Sequence, residues 1–209
     1  MLIPFPDKKY QIIYADPPWN FGDRMLSNGH GGYFYSLEDK HYKPMNHREL
    51  CELKVSRIAD KNSVLFLWST DAHLKEAIST MEAWGFKYIT VAFYWLKKEK
   101  TGKDVCILGR WTMKSVEICL LGKRGRPQRK RKNIRQLVRA TRRSHSQKPD
   151  EVRDRIVNLM GDLPRIELFA RQCVPGWDAW GNQLDDNGLA PQSVAGQLNL
   201  FGNNEKEES

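Results

Sequence analysis

Residues 16 to 19 read Asp-Pro-Pro-Trp and follow directly after the apolar run "YQIIYA" at residues 10–15. A turn needs only a Gly, an Asn or one Pro, so this combination calls for a chemical explanation. A carboxylate and a backbone carbonyl can each accept one N–H of an amine. Proline fixes the backbone direction and brings no competing N–H, and a Trp face stacks on a flat ring. The pattern therefore predicts a site for a flat, polar ring.

An amino group on such a ring is a poor nucleophile, because its lone pair is delocalised into the ring. If both N–H groups are held by acceptors, the nitrogen becomes more tetrahedral and its lone pair points outward. Asp16 and a proline carbonyl are the candidate acceptors, and Trp19 is the candidate stacking residue. The alternative interpretation is a common turn, with Trp19 in the core.

The elements that must position this motif are short apolar runs alternating with helical stretches. Strands that are apolar throughout and separated by helices predict an α/β fold, with a mainly parallel sheet covered by helices on both faces. Long connections at 20–46 and 98–114, and a basic segment after the fourth strand, are expected at the edge of the sheet where ligands bind. Strands are predicted at 10–15, 63–69, 87–97, 115–122 and 164–171, and helices at 47–59, 73–85 and 148–161.

Length and composition predict a single globular domain at residues 1–185, followed by a polar, disordered tail at 186–209. No apolar run is long enough to span a bilayer, and "MLIPFPDKK" lacks the apolar region of a signal peptide. Four widely spaced cysteines without a CxxC pair fit a reducing compartment. These features predict a cytoplasmic protein.

The net charge of +9 is concentrated in one segment. Of the 34 Lys and Arg residues, 11 lie between Lys123 and Arg143, where there is no acid, and this leaves 23 against 25 acidic residues elsewhere. The favoured interpretation is an insertion at about 123–146 that binds nucleic-acid phosphates and orders on its polyanion. A solvated loop or a targeting-type basic run is the alternative. The candidate phosphate-binding residues are Arg124, Arg126, Arg129, Lys130, Arg131, Lys132 and Arg135.

Residues 16–19 resemble the DPPW motif of amino-group methyltransferases, which transfer a methyl group from S-adenosyl-L-methionine to an exocyclic NH₂. Residues 146–185 in turn resemble the family that contains the catalytic subunit of the eukaryotic mRNA N6-adenosine methyltransferase, together with bacterial and phage DNA adenine methyltransferases. Lys148-Pro149 opening a helix, "IELFAR" as a strand and "GNQLD" after a Trp-rich turn carry this resemblance. It covers most of residues 10–185 and implies a Rossmann-like fold with a permuted motif order, in which DPPW precedes the cofactor strand.

The resemblance implies catalytic roles for Asp16, Pro17, Pro18 and Trp19, with Asp16 also serving the junction between the target amine and the amino group of the cofactor. Glu117, an acid inside the apolar run "SVEICLL", has no assigned role. It is expected to bond to a neighbouring loop or to Arg110, and structural and functional roles are both open.

Five further residues are implied as cofactor-binding. Lys148 would pair with the carboxylate of the methionine part, Phe169 would line the pocket, and Arg171, Asn182 and Gln183 would bind the ribose hydroxyls. The alternatives are that Phe169 is core, that Asn182 and Gln183 cap a turn, and that Lys148 belongs to the basic run. The family often has Gly in the position after this Phe, where this chain has Ala170. The additional methyl group bears on how closely the backbone can pack against the cofactor.

The function that the resemblance implies is N6-adenine methylation in DNA, with the target base flipped into the DPPW pocket. RNA is the alternative polymer, and cytosine N4 is a less favoured target. A catalytically silent nucleic-acid-binding subunit on the same fold is the alternative class. The presence of the motif acid and the cofactor residues favours an active enzyme. The irregularly spaced His residues of the long loops are interpreted as ordinary polar residues rather than metal ligands.

The tail contains "GQLNLFG" at residues 196–202. Gln197–Phe201 resembles the peptide by which bacterial proteins dock on the replication sliding clamp, with apolar side chains suited to a hydrophobic groove. The alternative is that the segment packs back onto the domain. The clamp interpretation implies a bacterial or phage protein acting near the nucleoid. A homodimer is a further expectation, because relatives often pair.

Overall fold

The computed structural model describes residues 4–20, 44–109, 111–143, 147–182 and 184. Nine β-strands, three α-helices and two short 3-10 helices form in these ranges. The strands are β1 Tyr10–Ala15, β2 Ala59–Ser69, β3 Lys87–Lys98, β4 Ile107–Leu108, β5 Met113–Lys114, β6 Val116–Arg124, β7 Leu137–Thr141, β8 Arg165–Leu168 and β9 Asp178–Trp180. The helices are α1 His47–Glu52, α2 Leu74–Ala83 and α3 Glu151–Met160, and the 3-10 helices are Val55–Arg57 and Asp71–His73.

Seven of the strands form one sheet, in the order β7-β3-β6-β2-β1-β8-β9. β1 pairs in parallel with β2 on one side and with β8 on the other, so the chain order reverses at β1. Open α/β sheets bind ligands beside such a reversal, outside the carboxyl ends of the strands. We call the side where β1, β2, β3, β7, β8 and β9 end the carboxyl edge. The mainly parallel α/β sheet expected from the sequence is confirmed.

β6 is the exception, because it runs antiparallel to both β2 and β3. Ser69 pairs with Ile118 and Ser63 pairs with Arg124, so β6 begins at the carboxyl edge and ends at the opposite, amino edge. The basic segment therefore leaves the sheet at the amino edge. Its expected position at the ligand-binding edge is wrong, because that expectation assumed that every long strand runs in the same direction.

Part of the basic segment is regular structure rather than an arm. Residues 137–141 return as β7 and pair in parallel with β3, with Leu137 opposite Tyr94 and Thr141 opposite Lys98. The expectation that the segment orders only on a polyanion is therefore wrong for these residues, since backbone pairing with β3 already holds them.

Both faces of the sheet are buried, as shown by the alternation along β1. Ile13 and Ala15 belong to the core shared with α1 and α2, whereas Ile12 and Tyr14 belong to the core shared with α3. Side chains of a strand alternate between faces, so an uninterrupted apolar strand requires cover on both sides.

The predicted helix at 47–59 is shorter in the structure. α1 begins with a capping box formed by Asn46 and Glu49 and ends where Leu53 adopts an extended backbone conformation. A 3-10 helix follows, and Ile58 then enters the core just before β2. The apolar spacing that suggested one helix is produced by three short pieces packing on the same core.

α3 is fastened to the sheet by a buried ion pair between Arg153 on the helix and Glu167 on β8. The Arg153 guanidinium donates to both carboxylate oxygens, at 2.7 and 2.8 Å. This bidentate geometry is the strongest form of such a pair. It sets the position of α3, whose preceding residues Lys148 and Pro149 reach the carboxyl edge. Within the described residues, no helix is long and apolar enough to cross a membrane.

We expect Glu167→Ala to lower the free energy of unfolding by about 3 kcal/mol, because it leaves a buried guanidinium without its carboxylate. Urea unfolding followed by circular dichroism measures this change. Glu52→Ala is the control, since it removes an exposed i,i+4 pair with Arg48, and it should change stability little. Equal effects of the two substitutions would contradict this account of α3.

Candidate active site

A cluster of charged side chains lies at the carboxyl edge, beside the point where the strand order reverses. Asp16 directly follows β1, Lys148 precedes α3, and Glu117 lies near the beginning of β6. Because β6 is antiparallel, its beginning meets the ends of the parallel strands. Three residues that are distant in the sequence therefore meet at one position.

Lys148 is the centre of this cluster. Its Nζ lies 2.7 Å from Asp16 Oδ2 and 3.2 Å from Glu117 Oε2, and it sits 5.5 Å from the centre of the Trp68 ring. Lys97 Nζ pairs with the other oxygen of Glu117. Lys148 and Glu117 are both buried, so each charge depends on its neighbours for stabilisation.

The pKa values reflect this mutual dependence. Burial alone would lower the pKa of Lys148, but the carboxylates of Asp16 and Glu117 outweigh it and raise that pKa above its usual value. Burial alone would raise the pKa of Glu117, but the ammonium groups of Lys148 and Lys97 hold it below its usual value. Both groups are therefore charged at neutral pH, and a persistent positive charge lies beside Asp16.

Trp19 is buried against the same cluster. Its indole N–H donates to the Trp68 carbonyl at 3.0 Å, and one face of its ring stacks on His73 at 5.7 Å between centres. The His73 ring is positioned by Thr70, whose hydroxyl lies 3.0 Å from Nδ1. Trp19 is thus part of the core, as in the alternative sequence interpretation, and its contact with a base remains a prediction.

The two prolines of the motif hold the backbone that follows Asp16. The Pro17 carbonyl accepts the Trp19 N–H at 2.9 Å, and the Pro18 carbonyl accepts the Met45 N–H at 3.0 Å. Each carbonyl oxygen has two lone pairs, so these bonds leave room for a second donor. The prolines therefore give Asp16 and Trp19 a rigid relative position.

The ends of β8 and β9 contribute the second part of the site. Phe169 follows β8 with a φ of 60°, the one positive φ among the described residues other than glycine. Such a conformation is costly for a bulky residue and is typical of functional positions. A Cβ on Gly181 would lie 2.3 Å from the Ala170 carbonyl oxygen, so the two strand ends can approach this closely only with Gly181. Ala170 is fully buried, which keeps its methyl group out of the open edge.

The remaining cofactor candidates lie at the same strand ends. Arg171 is half-buried after β8, and Asn182 is exposed after β9. Gln183 lies outside the described residues. The structure thus brings Asp16, Lys148, Phe169, Arg171 and Asn182 to one edge, and their cofactor roles remain predictions.

Two functional candidates were not identified from the sequence, Lys97 and His73. Lys97 lies near the end of β3 and reaches Glu117 across the sheet. A basic residue near the end of an apolar strand is a weak signal, and nothing in the motif points to His73. The expected Glu117 partner was a neighbouring loop or Arg110, which lies outside the described residues. The structure pairs Glu117 with two lysines.

The predicted phosphate-binding residues from Arg124 to Lys132 follow β6 at the amino edge, away from this site, whereas Arg135 lies just before β7. The backbone N–H groups of Lys130 and Arg131 donate to the Leu159 carbonyl at 2.7 and 3.2 Å, at the end of α3. Arg124 donates to the Ser56 carbonyl at 3.0 Å and is partly buried. The other candidates are exposed, namely Arg126, Arg129, Lys130, Arg131, Lys132 and Arg135.

Of the long connections, residues 21–43 lie outside the described residues, and so does Gln197–Phe201. Docking on a sliding clamp and pairing of two copies both stay predictions. The connection after β3 is described except for residue 110 and contains the β4–β5 hairpin. Among the described residues, no group of three or more His, Cys, Asp or Glu side chains is placed to hold a metal ion.

Comparison with known proteins decides the family. Residues 10–183 match the MT-A70 family, so the matched region runs from the start of β1 to just beyond β9. This chain belongs to the MT-A70 family. It is a methyltransferase of that family, as the resemblance in its motifs predicted.

Two relatives illustrate the range of the MT-A70 family. The Type II methyltransferase M.MunI of Mycoplasma sp is 38% identical over 194 residues, which cover 87% of this chain and 81% of that protein. The human N(6)-adenosine-methyltransferase catalytic subunit METTL3 is 28% identical over 199 residues, which cover 91% of this chain and 31% of that protein. The chain therefore spans about a third of the human relative and most of the mycoplasmal one.

We expect the stability difference between the wild type and Glu117→Gln to depend on pH. The pKa of Glu117 is lower in the folded than in the unfolded chain, so its stabilisation is fully present above the ordinary value of 4.5 and is lost as pH falls through the folded pKa. The difference should be about 3 kcal/mol at neutral pH and should shrink in acid. Urea unfolding between pH 3 and 7 measures it.

A pH-independent difference over that range would contradict the charged pairing of Glu117 with Lys148. Glu52→Gln provides the control, since Glu52 is an exposed carboxylate with a single partner. Its small effect should stay nearly constant where that of Glu117→Gln changes.

Proposed function

We propose that this protein transfers a methyl group from S-adenosyl-L-methionine to N6 of adenine in DNA. The observation that carries the proposal is the contact of 2.7 Å between Asp16 and the buried Lys148. It lies at the carboxyl end of β1, beside Trp19. The contact holds an acceptor carboxylate in a fixed place next to a persistent positive charge.

The residues present fit S-adenosyl-L-methionine. Its methionine part carries both an amino and a carboxylate group, and Asp16 and Lys148 provide opposite charges at one position. Arg171 and Asn182 place hydrogen-bonding groups at the ends of β8 and β9 for a ribose diol, and Phe169 offers an aromatic wall. The cofactor supplies a methyl group already activated as a sulfonium.

The chain's own part is to orient the target amine. Asp16 accepts one N–H, and a proline carbonyl of the motif accepts the other through its second lone pair. The amine lone pair then points away from the ring, and positioning of this kind accounts for much of catalysis with an activated donor. Lys148 donates to Asp16 Oδ2 at 2.7 Å, which holds that carboxylate in place as an acceptor. An adenine inside a duplex must be flipped out to reach these groups.

DNA is favoured over RNA by similarity to M.MunI, a Type II methyltransferase that shares 38% identity and most of its length with this chain. The N(6)-adenosine-methyltransferases share 28% and match over a third of their length or less, which keeps RNA as the second candidate. A silent subunit is disfavoured, because Asp16 and Lys148 are both present and in contact.

Asp16→Asn should reduce methyl transfer by at least about 100-fold, because the amide nitrogen donates where the carboxylate accepted. The test is nucleoside mass spectrometry after incubation with S-adenosyl-L-methionine and unmethylated duplex DNA, single-stranded DNA or RNA. Asp162→Asn is the matched control, an exposed carboxylate paired with Arg165 away from the site, and it should retain activity. N6-methyladenine formed by Asp16→Asn at the wild-type rate would refute the catalytic assignment.

The amino-edge residues are expected to bind phosphates away from the reacting base. The double substitution of Arg129 and Arg131 by Gln should weaken DNA binding and reduce the slope of log affinity against log salt by up to about two. Activity at saturating DNA should stay unchanged. Substituting the exposed Lys54 and Lys75 by Gln removes the same charge elsewhere and is the control in the fluorescence-anisotropy titrations. If the two double variants gave identical slopes of log affinity against log salt, the basic segment would not be a phosphate-binding site.

A further inference from the structure

Trp111 differs from every other tryptophan of the chain. The other six are buried, with exposures of 9% or less, whereas Trp111 is 97% exposed. Exposing a large aromatic side chain forgoes the favourable free energy of its burial. An isolated exposed apolar residue needs no explanation, but Trp111 has apolar neighbours.

Trp111 lies at the tip of the β4–β5 hairpin. Leu108 pairs with Met113 across the hairpin, and these two side chains are 60% and 52% exposed. The Gly109 N–H donates to the Thr112 carbonyl at 3.2 Å, which closes a tight turn. A Cβ on Gly109 would lie 2.4 Å from that carbonyl oxygen, so the turn depends on glycine. The hairpin thus presents Trp111 at its tip, beside the exposed apolar side chains of Leu108 and Met113.

The hairpin is attached to the candidate active site at two points. Lys114 pairs with Asp71 at 2.9 Å, and Asp71 shares its 3-10 helix with His73, which stacks on Trp19. On the other side, the Val105 N–H donates to the Lys97 carbonyl at 2.9 Å, and the Lys97 side chain reaches Glu117. The tip therefore projects from the carboxyl edge next to the DPPW motif.

The charge around the hairpin indicates its partner. Residues 97–114 contain six Lys or Arg residues and only two acids. An aromatic side chain in basic surroundings matches a nucleic-acid strand, because phosphates meet the cations and a base face meets the ring. Residues 124–132 of the basic segment cannot serve this purpose, since they follow β6 at the amino edge. Arg142 and Arg143 follow β7 at the carboxyl edge and add to the positive charge there.

We propose that Trp111 stacks on a nucleobase beside the target adenine and holds the opened strand at the mouth of the site. This inference rests on the proposed function, because it assigns a positioning residue to the same reaction. Leu108 and Met113 flank the stacked base, and the exposed Lys100 and Lys103 contact its phosphates.

The first experiment compares methyl transfer by the wild type, Trp111→Ala and Trp111→Phe, with unmethylated linear plasmid DNA as duplex and after heat denaturation. Trp111→Ala should lower kcat/KM on the duplex by about tenfold or more and have a smaller effect on the denatured DNA. Trp111→Phe should stay within a few-fold of the wild type, because its ring still stacks. Ile89→Ala is the control, as it truncates a side chain of 44% exposure far from the carboxyl edge.

The second experiment measures iodide quenching of tryptophan fluorescence, with and without the same duplex. The difference between the wild type and Trp111→Phe isolates the signal of Trp111, because the other six indoles are buried. DNA should abolish that difference. Persistence of the difference at saturating DNA, or normal duplex activity of Trp111→Ala, would overturn the proposal.

Two further outcomes separate the competing explanations. If sedimentation shows that Trp111→Ala converts a dimer to a monomer while DNA leaves Trp111 accessible to iodide, the tip is a self-association surface and the proposal fails. If the wild type methylates neither form of DNA while the duplex still shields Trp111, stacking is supported and DNA methylation as the proposed function is refuted.

Discussion

The buried ammonium group of Lys148 is the interaction on which the candidate site depends. A charge removed from water is stabilised only by close partners of opposite sign, and Lys148 has two, Asp16 and Glu117. The three residues come from β1, from β6 and from the segment before α3. Their contact therefore links the DPPW motif, the antiparallel strand and the α3 layer, and it holds the Asp16 carboxylate where an acceptor is needed.

The reversed direction of β6 has two consequences. It brings Glu117 to the carboxyl edge, where it completes the charge cluster, and it sends the following basic residues to the amino edge. At about 3.3 Å per residue, the length of β6 separates these two regions by roughly 30 Å. A nucleic acid that contacts both must therefore lie along the side of the protein. Next to the site itself, positive charge comes from residues 97–114 and from Arg142 and Arg143, which follow β7.

The aromatic residues of the site divide into a buried group and one exposed member. Trp19 and Trp68 are joined by a hydrogen bond between the Trp19 indole and the Trp68 carbonyl, and Trp68 in turn donates to the Tyr14 hydroxyl at 2.6 Å. These buried hydrogen bonds fix the position of the Trp68 ring, over which the Lys148 ammonium group lies. Trp111 stands apart on its hairpin, free of such packing, and so it is suited to meet a partner rather than to support the fold.

Local patterns in the sequence determined β1, the other apolar strands, the end of α3 at Gly161 and the importance of residues 16–19, because each depends on neighbours within a few positions. The family was also readable, since its motifs are contiguous. Only the tertiary structure decided the direction of β6, the pairing of Lys97 and Lys148 with Glu117, the stacking of His73 on Trp19 and the placement of the basic segment. These depend on contacts between residues 20 to 68 positions apart, and strand direction within a sheet leaves no local signal in an apolar strand buried on both faces.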